Sequence, residues 1–177
     1  MSTIIAQITG ISAMLLSIGS LQCRSNRNFF LCQEIAGILF AVSFFMLGAF
    51  GGAFMNIYGI IRPEVLRREK IAKSKLALAG LLTLLAALTV VTILVSEEKW
   101  YLLAIVVTAQ IIGTTCMWTR NGKVIRYGQL FAVSPLWITY NSLIPIPSIG
   151  GILTEAISIC SCILALLRYR KIGFTEK

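Results

Sequence analysis

Between Lys75 and Glu97 the chain runs for 21 residues, Leu76 to Ser96, without one charged side chain. About 20 apolar residues in a helix cross the ~30 Å hydrocarbon core of a bilayer. Five further apolar stretches surround this one: about 3–22, 29–61, 100–118, 129–144 and 148–167. Of the 177 residues only 13% are charged, about half the share of an ordinary soluble domain. Seven spans of roughly 20 residues would use about 140 of them and leave no room for a soluble domain. The fold class expected is an all-α polytopic membrane protein.

The stretch from Phe29 to Ile61 is too long for one span, since about 33 helical residues extend near 50 Å. Gly48-Ala49-Phe50-Gly51-Gly52 is the natural break, because glycine adopts tight-turn angles at no steric cost. The third helix then continues through Arg62 to Leu66, with Arg62 expected to snorkel to the interface. Trp100 and Trp118 bracket the fifth span as interfacial aromatics. Pro135 should kink or interrupt the sixth span, and Pro145-Ile146-Pro147 should make a rigid turn into the seventh.

With seven spans, the loops at 23–28, 62–75 and 119–127 share one side with the C-terminus. Of the 16 Lys and Arg, 15 then lie on that side and only Lys99 lies opposite. Cytoplasmic loops carry the basic excess, so the N-terminus is out and the C-terminus in. Basic charge arranged this way sets topology and attracts anionic lipid. Arg67, Arg68, Lys70 and Lys73 are the expected lipid contacts, and nucleic acid is not an expected partner.

The first and last three helices share short matches in the same order. Ala6-Gln7-Ile8 with Gly10 and Met14 recurs as Ala109-Gln110-Ile111 with Gly113 and Met117. Leu39-Phe40-Ala41-Val42-Ser43 recurs as Leu130 to Ser134, and Gly51-Gly52 precedes Asn56 as Gly150-Gly151 precedes Glu155. An odd linking helix lets both units run the same way, a parallel 3+1+3 repeat of the kind found in transporters. The units are 1–67 and 99–177, with the basic loop and linking helix at 68–98 between them. A solute site is expected where they face each other.

Ionisable and amide groups inside spans are the candidates for that site. Glu155 lies seven residues into the last helix, where a carboxyl can carry a proton in one state and release it in another. The plain alternative is one interhelical hydrogen bond, typically worth about 0.6 kcal/mol. Asn56 shares its repeat position and offers donors and an acceptor to a polar solute. Trp137 and Tyr140 could stack on a ring, with Asn141 beside them, or serve as interfacial anchors. Gln7 and Gln110, at one repeat position near the outer ends of helices one and five, could line an outer vestibule or face headgroups; packing is the expectation, since Ala6 with Gly10 and Ala109 with Gly113 make small-residue faces. Gln33 and Glu34, near the inner start of the second helix, suggest a surface ion pair or an inner gate.

Several activities are excluded by composition. The chain has no His, and its seven acidic residues are all Glu, which removes His triads and two-His zinc sites. The five Cys show no C-x-x-C spacing, and buried thiols act as small hydrophobes. No enzyme activity, cofactor or metal is expected.

The segments Ala6-Gln7 to Gly10, Leu47-Gly48 with Asn56 and Arg62, and Trp137 to Tyr140-Asn141 with Ser148-Ile149-Gly150-Gly151 and Glu155 resemble the YgjV-type bacterial inner-membrane proteins. That resemblance spans nearly the whole chain and implies an inner-membrane location without an activity. The layout is similar, more distantly, to the PQ-loop and SWEET sugar transporters. Trp137 with Tyr140-Asn141 is similar to their W-x-x-Y-G, and Asn56 with Glu155 falls where their paired pocket asparagines lie. The Pro-Gln pair of that group is absent from helices one and five, and one pocket Asn is here Glu155. Repeat, buried Glu155 and this likeness together lead to the expectation of a transporter of a small polar metabolite by alternating access; burial of Glu155, which favours its protonated form, adds proton coupling as an option. The rival is a scaffolding membrane protein acting through its basic loop.

Overall fold

The computed structural model describes residues 2–46, 50–68, 74–95, 99–143 and 149–170. Among these the chain forms seven helices. They are α1 (Ser2–Ser20), α2 (Asn26–Met46), α3 (Phe50–Arg67), α4 (Lys75–Val95), α5 (Trp100–Trp118), the composite α6, and α7 (Ile149–Arg168). Helix α6 runs from Gly122–Gly128 through a π-helical turn, Gln129–Val133, into Ser134–Leu143. The expected break between the second and third helices falls at 47–49, and the Pro145-Ile146-Pro147 turn at 144–148, both outside the described residues.

Helix boundaries follow local chemistry. Asn121 caps α6, its Oδ1 accepting from the amides of Lys123 at 2.9 Å and Val124 at 3.3 Å. An Asn in this position satisfies first-turn donors that otherwise lack partners. The sixth helix therefore begins at Gly122 rather than at Gln129, and the loop expected over 119–127 shrinks. Just before it, Arg120 takes a left-handed φ of 54°, unusual for a residue with a Cβ. The Asn26 amide donates to the Arg120 carbonyl at 2.5 Å and holds that turn against the start of α2.

Pro135 has the effect its chemistry requires, displaced by a few residues. A proline ring inside a helix clashes with the carbonyl four residues earlier and has no N–H to give it. Here the turn before it widens, and the Ser134 amide donates to the Gln129 carbonyl five residues back. Such π turns recur at functional sites.

Packing is sequential, α1 on α2 and α2 on α3, then α5 on α6 and α6 on α7. Helix α4 touches α3 and α5, while α1 meets α7 and α3 meets α5 across the middle. At the α2–α3 crossing, a methyl on Gly37 would lie 3.2 Å from the Gly59 carbonyl, so the absence of a side chain permits the approach. On α4 only Leu81, Leu85 and Thr92 are buried, one stripe at helical spacing.

Apolar side chains cover the surface as well as filling the core, and some polar groups are buried among them. Leu76, Leu94 and Phe131 are 83%, 79% and 73% exposed, whereas Thr114, Arg126 and Ser134 are fully buried. Outward apolar faces suit lipid, and a buried polar group needs a partner inside. By length and composition, α4 and α5 are each able to cross a membrane, and Ile4–Ser20 of α1 is a shorter apolar helix.

Candidate functional site

Two pairs of residues one helical turn apart tie α3 to α5. The Tyr58 hydroxyl lies 2.6 Å from Thr114 Oγ1, and Arg62 Nη1 donates to Gln110 Oε1 at 2.8 Å. Arg62 folds back over Tyr58, its guanidinium carbon 5.6 Å from the ring centroid. Gly113 lies beside it, a Cβ there falling 3.4 Å from Nη1, within ordinary van der Waals contact. Thus Arg62 turns into the bundle instead of snorkelling, and Gln110 is its partner rather than a packing amide. The Nε of Arg62 is buried without an acceptor, a state that costs about 1–3 kcal/mol or more for a charged group.

On the other side, Glu155 of α7 is clasped by the π turn of α6. Ser134 Oγ donates to Glu155 Oε2 at 2.6 Å. The Gln129 amide reaches Ser134 Oγ at 2.9 Å and the same carboxyl oxygen at 3.4 Å. Gln129 and Ser134 are thereby linked twice across the widened turn, through the backbone and through their side chains. The turn places both polar groups beside Glu155.

Between these two constructions lies a cavity of about 170 Å³. Arg62 and Gln110 line one wall and Gln129, Trp137 and Glu155 another. Ser17 of α1, Gln33 of α2 and Ser158 of α7 line it as well. Gln33 donates to Ser20 Oγ at 2.7 Å, so its amide is oriented by α1.

The residues expected from sequence divide. Glu155 and Trp137 line the cavity; Asn56 and Tyr140, both described, do not. Asn56 sits six residues before Arg62, which at about 100° per residue turns it roughly 120° round the helix. Tyr140 packs edge-on against Trp137 with centroids 5.5 Å apart. Asn141 is helical, but its side chain and that of Gln7 lie outside the described residues. Sequence places Arg62 at the interface and Gln110 in packing or an outer vestibule, and marks Gln129 only as the start of the sixth span. Their one signal was position, polar residues within or beside apolar spans.

Past the cavity, toward the turns at 21–25 and 119–121, polar bonds seal the bundle. Arg126, fully buried, donates from Nη2 to the carbonyls of Cys23 at 2.8 Å and Leu21 at 3.2 Å. Gln22 donates to the carbonyl and hydroxyl of Ser161 at 2.6 and 2.7 Å. The Tyr169 hydroxyl donates to the Gln22 carbonyl at 3.1 Å. Arg120 and Arg126, counted by sequence among the loop cations, are thus packed inside.

Large apolar side chains on the surface and two helices apolar and long enough to span suit a membrane, and sequence comparison agrees. The Imp-YgjV family model, described as bacterial inner membrane protein, matches residues 4–172. The chain belongs to this Imp-YgjV family. No curated protein and no solved structure matches it. Family membership places the protein in the bacterial inner membrane. For this Imp-YgjV protein, a guanidinium, a carboxyl and three amides around one small cavity can hold a polar solute through several hydrogen bonds at once.

Proposed function

We propose that this protein carries a small polar metabolite across the inner membrane by alternating access. In this reading all seven helices span, with the N-terminus out and the C-terminus in. Helices α1–α3 and α5–α7 are parallel repeats, α4 links them, and the layout is that of the PQ-loop and SWEET group. The observation that carries the reading is the cavity itself, whose walls come from both three-helix groups and whose two ionisable residues, Arg62 and Glu155, come one from each. Two glycines at matching repeat positions support the symmetry: Gly10 is approached by Ser43 of α2, and Gly113 by Val133 of α6. By repeat the second partner would be Ser134. One extra residue in the π turn accounts for the shift and frees Ser134 for Glu155.

Rocking one group against the other would expose the cavity to each side in turn, with the proton riding on Glu155. The polar seal around Arg126 and Gln22 supports a cavity closed on the side of the basic turns. Anionic lipid at Arg67, Arg68, Lys70 and Lys73 belongs to the same proposal; Arg68 is exposed and paired with Glu64 at 2.7 Å. Lys70 and Lys73 and the side chain of Arg67 lie outside the described residues.

The test is reconstitution into liposomes holding a pH-sensitive dye, challenged with sugars, amino acids and organic acids. A solute-dependent change in internal pH, abolished by Glu155→Gln, is expected. Solute entry without any pH change would remove the proton, and no entry of any solute by folded protein would overturn the transport reading.

A further inference from the structure

We infer that the cavity recognises a carboxylate-bearing solute and that Arg62 is the group that holds it. The inference deepens the transport reading and rests on the cavity being the solute site.

Arg62 is a cation turned into the bundle with no anion beside it among the described residues. Its recorded partners are the Gln110 oxygen, at 2.8 Å from Nη1, and the face of the Tyr58 ring. Among the described residues no carboxylate pairs with it. A guanidinium has five N–H donors in a rigid fork; Nη1 is engaged by Gln110, Nε is buried with no acceptor among the described residues, and the side chain lines the cavity. An ionised carboxylate supplies the opposite charge and the strong acceptors that a guanidinium pairs with best.

The carboxyl already in the cavity does not fill that role. Glu155 is held through Oε2 by Ser134 and Gln129 on the far wall, and it forms no bond to Arg62. Its Oε1 accepts no hydrogen bond from the described residues. The cavity thus keeps a cation and an acid apart on different walls. A neutral sugar would leave the guanidinium uncompensated, whereas a carboxylate supplies its missing charge. The second pole of the solute, a hydroxyl or an ammonium, falls to Glu155 Oε1 and the amide of Gln129. A volume of about 170 Å³ admits a solute of a few carbons, of the size of a hydroxy acid or an amino acid.

The experiment is titration calorimetry on purified protein in lipid nanodiscs with matched pairs: lactate against lactamide, alanine against alaninamide, and glucose. Carboxylates are expected to bind and their amides not, and the stronger of lactate and alanine identifies the second pole. Arg62→Gln should abolish binding. Gln110→Glu should do so as well while keeping the fold intact, because it gives Arg62 an internal carboxylate in place of a neutral amide. Both losses should exceed about 30-fold, as for a buried charge pair deprived of one member. Equal binding of acids and amides, or unchanged carboxylate affinity in folded Gln110→Glu protein, overturns the inference, as does the absence of binding by either acid. Carboxylate binding without flux in liposomes would keep the inference and remove transport, and flux confined to neutral solutes would do the reverse.

Discussion

Replacing Arg126 by Met removes a guanidinium that joins the start of α6 to the end of α1. Its Nη2 donates to Cys23 and Leu21, Nε reaches the Leu21 carbonyl at 3.3 Å, and the group sits 5.0 Å from the Phe29 ring. A cation beside the last carbonyls of a helix is also favoured by the helix dipole. The Met variant leaves two buried carbonyls unpaired. Hydrogen bonds to charged groups contribute about 1.5–3 kcal/mol each, so the gross loss is ~3–6 kcal/mol. The bond to the Gly122 carbonyl, at 3.4 Å, adds little. Met recovers part of the packing and no longer buries a charge, which brings the expected net loss to about 3 kcal/mol. Arg126→Lys, a point charge reaching one carbonyl, should lose about half as much. Equilibrium denaturation in detergent, followed by tryptophan fluorescence, measures both, with exposed Lys123→Ala as a control expected within ~0.5 kcal/mol of the parent. A Met variant as stable as that control would refute the reasoning and return Arg126 to the role of a loop cation.

Other consequences follow from the same geometry. Gly37→Val should cost about 1–3 kcal/mol by forcing α2 from α3, read in the same denaturation assay. Tyr58→Phe should cost only ~0.6–1 kcal/mol, because Thr114 Oγ1 keeps its 2.6 Å bond to the Gln110 carbonyl; a double-mutant cycle with Thr114→Val would give the pair's coupling. Pro135→Ala should leave stability within ~1 kcal/mol of the parent yet weaken carboxylate binding at least about tenfold, because α6 can then close its π turn and rotate Gln129 away from Glu155. Binding unchanged in that variant would show that the turn does not position the site.

Much of the architecture was legible along the chain because its causes are local. Apolar runs of spanning length marked the helices, Pro135 marked the irregular turn, and Glu155 stood out as a carboxyl in an apolar helix. The errors share one physical source, since they concern side chains whose partners lie far along the chain. Arg62 reads as a snorkelling cation until Gln110, 48 residues away, is placed opposite it. Arg126 reads as a loop charge until the carbonyls 105 and 103 residues earlier are folded over it. Asn56 matched Glu155 by repeat position, yet the face of α3 that meets the cavity is set by Tyr58 and Arg62. Periodicity reveals that a helix has faces; which face meets which neighbour is decided by packing.

The π turn in α6 bears on how such a chain can change length. Gln129–Val133 holds one residue more than an ordinary helical path between the same ends needs. A single-codon deletion elsewhere in a packed helix would rotate everything beyond it by about 100° and unseat a whole face. Here the surplus residue lets the chain absorb such a loss by reverting to a plain helix. What would disappear is the pairing of Gln129 and Ser134 with Glu155. The segment is therefore where a relative could give up the site in one mutational step and keep the bundle.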